Sequence, residues 1–389
     1  MEEAYPRTYR HGRIPLDAYL AVPPHGWARL LSNPSWSGFP APDAVFLDLE
    51  TTGLGRGTGT YAFLIGIGRF TPDGFVVRQY LMRDYREEPA VLAAVREELA
   101  RARALVTFNG RSFDWPLLEN RAILNRMELP SLPHLDLLYP ARKVWRPLNA
   151  GCRLAQLEKT VLRAGREADV PGWLIPQLYF RAVRTGDLGH LAGVAEHNRL
   201  DILAMAALAG YLGHAAADPL AARPGGEPLL GPELYALGRL FVRQGPLDVG
   251  IACLEEAIAR GLPPDLRRDG YRTLARTLRR EAQDRRAEAV LLSWAREDPL
   301  SPGPCIELAK HYEHRARDLE AARTWTLRAL DLIRRRRLLQ GFGVAGCGGP
   351  SPERSEGELA AVVHRLRRIE EKLAATTARR SSDLLEAIR

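Results

Sequence analysis

The chain has 389 residues, of which 46% are hydrophobic and 26% are charged. This composition is typical of soluble globular proteins and excludes disordered, collagen-like and membrane-spanning classes. The longest uncharged stretch, residues 202–217, is shorter than the roughly 20 residues that cross a bilayer. The length exceeds one ordinary hydrophobic core, so we expect two domains. The N-terminus has no apolar secretory signal, which indicates a cytoplasmic protein.

The charge balance is basic, with 55 Lys and Arg against 47 Asp and Glu and a formal net charge of +8. Such a balance favours a polyanionic partner such as nucleic acid, because released counterions drive the association. A solvated basic surface without any ligand explains the charge equally well. The four cysteines are far apart and form no C-x-x-C pair, so we predict reduced thiols and no zinc site.

Two kinds of sequence pattern follow one another in the N-terminal half. Residues 1–42 are rich in proline, glycine and tryptophan without a sustained period, which predicts an irregular segment. Residues 43–215 are predicted to form an α/β domain, in which three strands come first and helices then alternate with a further strand. The predicted strands span residues 44–49, 61–70, 74–82 and 104–108, and the predicted helices span residues 87–101 and 112–126. This order is typical of a mixed sheet with helices on its faces.

The C-terminal half reads as helices only, and it contains an internal similarity. The pairs Leu237-Gly238, Leu274-Ala275 and Leu308-Ala309 recur at separations of 37 and 34 residues. This period resembles that of tetratricopeptide repeats, in which stacked helix pairs bury their apolar faces against one another. An irregular helical bundle is the alternative. The predicted divisions are a linker at 216–230, repeats at 231–332, a flexible basic and Gly/Pro-rich segment at 333–357 and a C-terminal helix at 358–389.

Acidic residues stand at three informative places in the α/β domain. Strand periodicity puts Asp48 and Glu50 on one face at the end of the first predicted strand. An Asn-Gly turn leads into the helix that contains Asp114, where Ser112 alone would suffice as an N-cap. His197 and Asp201 are four residues apart in a later, otherwise apolar helix, and so share a face. Neighbouring carboxylates repel unless cations neutralise them, and oxygen ligands suit Mg²⁺ or Mn²⁺.

The three motifs D-x-E, N-G-x-x-F-D and H-N-x-x-D, in this order, resemble the DEDD, or DnaQ-like, exonucleases of the ribonuclease H-like superfamily. The resemblance covers the whole predicted α/β domain and implies a ribonuclease H-like mixed sheet. Residues 134–145 and 151–159, together with the tetratricopeptide-like C-terminal half, resemble the YprB-type bacterial family in particular.

The resemblance implies a metal-dependent exonuclease, that is, a phosphodiester hydrolase. By motif, Asp48, Glu50, Asp114 and Asp201 would hold two divalent cations, Mg²⁺ or Mn²⁺, and His197 would position or deprotonate the attacking water. The spacing of His197 is that of tyrosine-type members, so general base and water orienter both remain open. The implied function is 3′-5′ cleavage of single-stranded DNA in DNA repair, with the repeats recruiting a protein partner; the family is associated with a helicase.

Further residues are predicted to support the site. The candidates that would hold the metal-binding carboxylates in place are Asp136, Asn109 and Thr51, although Asp136 could equally cap a helix. The candidates for phosphate contacts are Arg111, Arg142, Lys143 and Arg146. Two alternative functions stay open: an exoribonuclease with the same chemistry, and a non-catalytic repeat scaffold with a relic nuclease fold.

Overall fold

A computed structural model describes residues 1–53, 59–148, 151–166, 169–221, 224–341 and 352–387. The chain forms two compact units, Met1–Cys253 and Leu254–Arg389. The strands are β1 (Glu2–Pro6), β2 (Arg10–His11), β3 (Ile14–Pro15), β4 (Ala44–Thr51), β5 (Ala62–Thr71), β6 (Gly74–Leu81), β7 (Ala104–Thr107) and β8 (His134–Asp136). The helices are α1 (Pro24–Leu31), α2 (Glu88–Ala100), α3 (Asp114–Leu124), α4 (Leu138–Trp145), α5 (Leu154–Leu157), α6 (Ile175–Thr185), α7 (Ala192–Ala217), α8 (Gly231–Gln244), α9 (Leu247–Ala259), α10 (Pro264–Arg280), α11 (Asp284–Glu297), α12 (Pro302–His311), α13 (Leu319–Gly341) and α14 (Pro352–Ala387).

A six-stranded mixed sheet organises the first unit, in the order β1-β6-β5-β4-β7-β8. The pairs from β1 to β4 are antiparallel, whereas β4, β7 and β8 are parallel to one another. This arrangement confirms the predicted mixed sheet flanked by helices. The predicted strands and helices of residues 43–126 are all present, with ends that differ by one or two residues.

Strand β4 separates two packing layers because its side chains alternate between the faces of the sheet. Val45, Leu47 and Leu49 pack with apolar residues of α2 and α3 on one face. Phe46 points to the other face, where it contacts the ring of Tyr19. Asp48 and Glu50 follow Phe46 at intervals of two residues, so the sheet directs them to the face that α7 covers.

Helix α7 is the central core helix of the first unit. The segment Leu188–Ala217 is long and apolar enough to cross a membrane, but 83% of its most apolar window is buried inside the protein. Close packing with α1 depends on small residues: a Cβ built on Gly26 would lie 2.5 Å from the backbone oxygen of Gly213. The protein interior therefore accounts for the apolar character of this helix.

The N-terminal segment, predicted to be irregular, contains regular structure. Strand β1 pairs with β6 along its whole length, from Glu2 opposite Arg78 to Pro6 opposite Gly74. Helix α1 packs against α7. Strand β1 has no apolar period of its own, because it is an edge strand with one buried side chain, Tyr5. Pairing with a strand some 70 residues away, rather than local pattern, stabilises it.

The first unit extends beyond the predicted linker. Helix α8 belongs to it, and its Glu233 accepts hydrogen bonds from Trp145 Nε1 at 3.2 Å and Tyr211 Oη at 3.2 Å. The division between the two units falls inside α9. Residues 222–223 of the predicted linker lie outside the described residues.

The second unit consists of helices in which each contacts the next along the chain, from α10 to α14. The recurring residues Leu274, Ala275, Leu308 and Ala309 are buried, as a stacked array requires. The assignment to tetratricopeptide repeats stays a prediction. The break predicted at 333–357 is shorter in the structure, since α13 continues to Gly341 and α14 begins at Pro352. Residues 342–351 of that segment are outside the described part of the chain.

Candidate active site

Four carboxylates from three distant segments meet at the edge of a cleft in the first unit. Asp48 and Glu50 come from β4, Asp114 is the first residue of α3 and Asp201 lies on α7. The cleft has a volume of about 380 Å³, and Glu50 and Asp114 line it. Burial raises the pKa of each carboxyl, and Coulombic repulsion from its acidic neighbours raises the pKa of Asp48, Glu50 and Asp114 further. The pKa of Asp114 reaches about 7.

One arginine that the sequence patterns did not single out partly neutralises this acidic cluster. The guanidinium of Arg166 is 6% exposed and donates hydrogen bonds to Asp201 and, at 2.6 Å, to Glu158 Oε2. Glu158 in turn contacts His11 Nε2 at 2.7 Å. Burial raises the pKa of Asp201, and Arg166 opposes that shift. Arg166 therefore favours the ionised form of Asp201 and partly offsets the effect of burial.

The imidazole of His197 has a defined orientation. Its Nδ1 lies 2.5 Å from Asp169 Oδ1 and 3.3 Å from Arg166 Nη1. The carboxylate is the nearer partner and can only accept, so the Asp169 contact favours the tautomer with the proton on Nδ1. Nε2 then faces the acidic cluster, 3.5 Å from Asp201 Oδ2 and 4.0 Å from Glu50 Oε1. His197 lines the cleft. No sequence motif indicates Asp169, because its position opposite His197 depends on the fold.

Asn198 fixes the position of Asp48. Its Nδ2 donates to Asp48 Oδ2 at 2.8 Å and to the Asp48 backbone oxygen at 3.1 Å, and its Oδ1 accepts from Gln79 Nε2 at 2.9 Å. Gly66, which pairs with Asp48 in the sheet, makes this approach possible. A Cβ at Gly66 would lie 2.2 Å from Asn198 Oδ1. Residue 66 therefore has to be glycine for α7 to reach β4 in this way.

Asp136 organises the turn that leads to Asp114. It is buried, and its carboxylate accepts backbone N–H groups of Asn109 at 2.7 Å, Arg111 at 3.1 Å and Leu138 at 3.0 Å. Asn109 adopts a left-handed conformation, with φ of 68°. Helix α3 begins at Asp114, two residues after the predicted start, and it has no side-chain cap, so the alternative in which Ser112 is the N-cap is wrong. The turn held by Asp136 occupies those residues instead.

Of the other described residues predicted to support the site or to contact phosphate, one lines the cleft and the rest do not. Thr51 lines the cleft, and its Oγ1 donates to the Gly53 backbone oxygen at 2.8 Å. Lys143 Nζ donates to the Leu30 backbone oxygen at 3.0 Å, which makes it a structural contact. The side chains of Arg111, Arg142 and Arg146 are exposed, and within the described residues none of them lines the cleft.

Two aromatic side chains beside the cleft were missed by the sequence analysis. Phe113 lines the cleft and is 45% exposed, and Trp173, which is 72% exposed, follows the cleft residue Gly172. Phe113 belongs to the N-G-x-x-F-D motif and Trp173 to no motif, and in both cases only the fold shows that the ring lies at the cleft.

Comparison with known proteins shows to which family the chain belongs. A model of the RNase H superfamily matches residues 45–213. YprB of Bacillus subtilis (strain 168) is 32% identical over 330 residues, which make up 82% of this chain and 77% of YprB. The chain belongs to the YprB family, within the RNase H superfamily. The resemblance to the YprB-type family and the ribonuclease H-like fold is confirmed, and with it a nuclease-type fold that implies binding of nucleic acid.

RNase H-like nucleases typically use divalent metal ions, and the donor set of this cleft fits them. Among the described residues, no group of three Asp, Glu, His or Cys side chains is already arranged at ligand distances. The carboxylates nevertheless raise the pKa of one another, so Arg166 does not balance the cluster, and bound cations would relieve the remaining repulsion. Asp48, Glu50, Asp114 and Asp201 are the residues that would hold such ions.

The raised pKa values predict how the stability of the metal-free protein depends on pH. A carboxyl whose native pKa lies above its unfolded value of about 3.9 stabilises the native state at low pH. That contribution is lost as the pH rises from about 4 through about 7, the pKa of Asp114. In EDTA, calorimetry should show the melting temperature of the first unit falling by at least about 2–4 °C between pH 5 and pH 8, the equivalent of 1 kcal/mol.

The control for this prediction is Asp114→Asn, which should flatten the pH dependence because the variant has one titrating carboxyl fewer in the cluster. Added Mn²⁺ should raise the melting temperature of the wild-type protein most at the higher pH, where Asp114 is ionised and the cluster carries more negative charge. A melting temperature in EDTA that rises from pH 5 to pH 8 would contradict the prediction.

Proposed function

We propose that this protein is a divalent-metal-dependent exonuclease that hydrolyses phosphodiester bonds of single-stranded DNA in the 3′-5′ direction. The observation that carries the proposal is the convergence of Asp48, Glu50, Asp114 and Asp201 on one cleft of an RNase H-like fold. Carboxylates that destabilise one another in the metal-free protein are best explained by a function that requires them together.

Each residue of the cleft has a separate role in the proposed reaction. Two Mg²⁺ or Mn²⁺ ions held by the four carboxylates would lower the pKa of the attacking water and stabilise the leaving 3′ oxygen. His197 accepts the proton of that water at Nε2, since Nδ1 is engaged by Asp169. Asn198 keeps Asp48 in place, and the hydrogen bond from Arg166 favours the ionised form of Asp201.

The preference for a single strand is supported by the aromatic residues at the cleft. Phe113 and Trp173 present exposed ring surface on which unpaired bases can stack. The bases of an intact duplex are already stacked on one another and cannot use these rings.

The wider role is proposed from the family resemblance. It is a function in DNA repair in the cytoplasm, in which the helical second unit recruits a protein partner such as a helicase. Exposed leucines of that unit, such as Leu300 and Leu327, give a partner apolar surface to contact.

A cleavage assay with end-labelled substrates tests the proposed activity. Purified full-length protein is incubated with single-stranded DNA, double-stranded DNA and single-stranded RNA in Mg²⁺, Mn²⁺ or EDTA. We expect metal-dependent shortening of single-stranded DNA from its 3′ end and no cleavage in EDTA. A preference for RNA would change the substrate to that of an exoribonuclease. Full activity in EDTA, or none under any condition, would refute the proposed function.

A further inference from the structure

The positive charge of the chain is concentrated in its second unit. From Leu254 to the C-terminus there are 27 Lys and Arg against 21 Asp and Glu, so this unit carries six of the eight formal positive charges. The first unit, which holds the acidic cleft, carries the remaining two. The charge that favours a polyanionic partner is therefore located mainly outside the catalytic domain.

A groove formed by α10, α12 and α14 collects part of this charge. Its volume is about 420 Å³. The basic residues that line it are Arg272 and Arg276 of α10, Lys310 of α12 and Arg365 of α14. Ile306 and Val362 add apolar surface between them. Cationic groups beside an apolar floor match the phosphates and the sugar faces of a nucleic-acid strand.

The acidic residues of the groove are already neutralised. Glu307 accepts hydrogen bonds from Arg279 Nη2 at 2.9 Å and from Lys310 Nζ at 2.7 Å. Burial alone would raise its pKa, but these two cations lower it. Glu358 forms an ion pair with Arg336. The carboxylates of the groove therefore do not neutralise Arg272 or Arg276.

The two arginines of α10 are exposed and stand one helical turn apart. Arg272 lies over the ring of Trp294 at 5.9 Å, and Arg276 has no ion-pair partner within the described part of the chain. Like charges at this spacing repel each other on a helix, so the pair does not stabilise the unit. An anion between them would remove that repulsion.

The basic surface continues along α14. Glu313, whose side chain is fully buried, contacts Arg365, Arg368 at 2.8 Å and Lys372 at 2.9 Å. Three cations on one carboxylate leave a surplus of two positive charges there. Arginine guanidinium groups of this kind form paired hydrogen bonds with phosphate oxygens.

We propose that the groove of α10, α12 and α14 binds the phosphate backbone of a single-stranded DNA segment, independently of its sequence. The identity of the polymer rests on the proposed nuclease function, whereas the anion site rests on the charges of the groove. This surface is distinct from the apolar surface proposed for a protein partner. It holds the strand through the second unit while the first unit cuts.

Binding measurements on full-length protein in EDTA test this inference. Fluorescence anisotropy with a long single-stranded oligonucleotide compares wild type with Arg276→Gln and with Arg272→Gln/Arg276→Gln. Each phosphate contact on a single strand changes log K by about 0.7 per tenfold change in salt, so the double variant should bind about 25-fold more weakly at about 0.1 M salt. Its salt dependence should be shallower by about 1.4 in slope. Arg276→Gln alone should lose about fivefold.

The matched control is Arg285→Gln/Arg296→Gln, which removes the same charge from exposed positions of α11 outside the groove. It should bind like wild type. The groove variants should cut a very short oligonucleotide in Mn²⁺ at the wild-type rate, since they leave the cleft unchanged. If the wild-type protein cuts no substrate but the groove variants still bind DNA more weakly than it does, the DNA-binding groove is supported and only the proposed nuclease function is refuted.

Two results would overturn the inference. The first is that the groove variants bind DNA as tightly as wild type. They could do so and at the same time lose binding to a polyglutamate peptide. That case would assign the groove to an acidic protein segment. The other is an equal loss in the α11 control, which would mean that total charge rather than the groove determines binding.

Discussion

Replacing Asp48 with Asn is expected to reduce the single-turnover rate of cleavage by at least about 10²–10³, the cost of removing one preorganised electrostatic contact in an active site. The fold should persist, because an asparagine oxygen at residue 48 can still accept the hydrogen bond from Asn198. In EDTA the variant should melt at a higher temperature than wild type near pH 8. The substitution removes a buried carboxylate. Its pKa is raised by burial and by the nearby carboxylates of Asp201 and Glu50, so its ionised form destabilises the native state.

The control for Asp48→Asn is Asp73→Asn, which makes the same chemical change at an exposed turn between β5 and β6. It should alter neither the rate nor the melting temperature measurably. Loss of cleavage together with a gain in metal-free stability separates a functional carboxylate from a structural one. An Asp48→Asn protein that cuts at the wild-type rate would remove Asp48 from the active site.

Replacing His197 with Ala should lower the turnover rate by about 10²–10⁴, the usual range for general acid–base catalysis, with little change in substrate affinity. The geometry supports a base, because Asp169 binds Nδ1 and leaves Nε2 directed toward Asp201 and Glu50. Single-turnover rates measured at several substrate concentrations separate the effect on the chemical step from the effect on binding.

His197→Tyr distinguishes a base from a water orienter. A phenol can donate a hydrogen bond to water but does not accept its proton near neutral pH, so we expect this variant to be about as slow as His197→Ala. Asp169→Asn should slow the reaction as well, since the amide no longer selects the required tautomer. A His197→Tyr protein with a near-normal rate would show that residue 197 only orients the water.

Local patterns were sufficient for the strands and helices between residues 44 and 126. Alternating apolar residues in β4 and helical spacing in α2 predicted these elements to within a residue or two. The same patterns failed for β1, because an edge strand with a single buried residue has no period to detect. They also placed the start of α3 too early, since the turn before it is held by Asp136 from another strand.

Some of the active-site residues could likewise be predicted from local sequence, and others could not. Asp48, Glu50, Asp114, His197 and Asp201 occupy recognisable motifs, so their residue types and order could be predicted before the fold was known. Arg166 and Asp169 belong to no such motif, and the chain brings them to α7 from a loop. Their roles depend on distances of a few ångströms between segments about 30 residues apart.

By itself, then, the sequence determined four of the six strands of the central sheet, β4 to β7, the family and the set of acidic residues, because each of these is recorded in local periodicity or in short motifs. Only the tertiary structure decided which cation neutralises Asp201, which partner orients His197 and where the surplus positive charge collects. Electrostatic interactions act through space, and residues that are distant in the chain become neighbours only after folding.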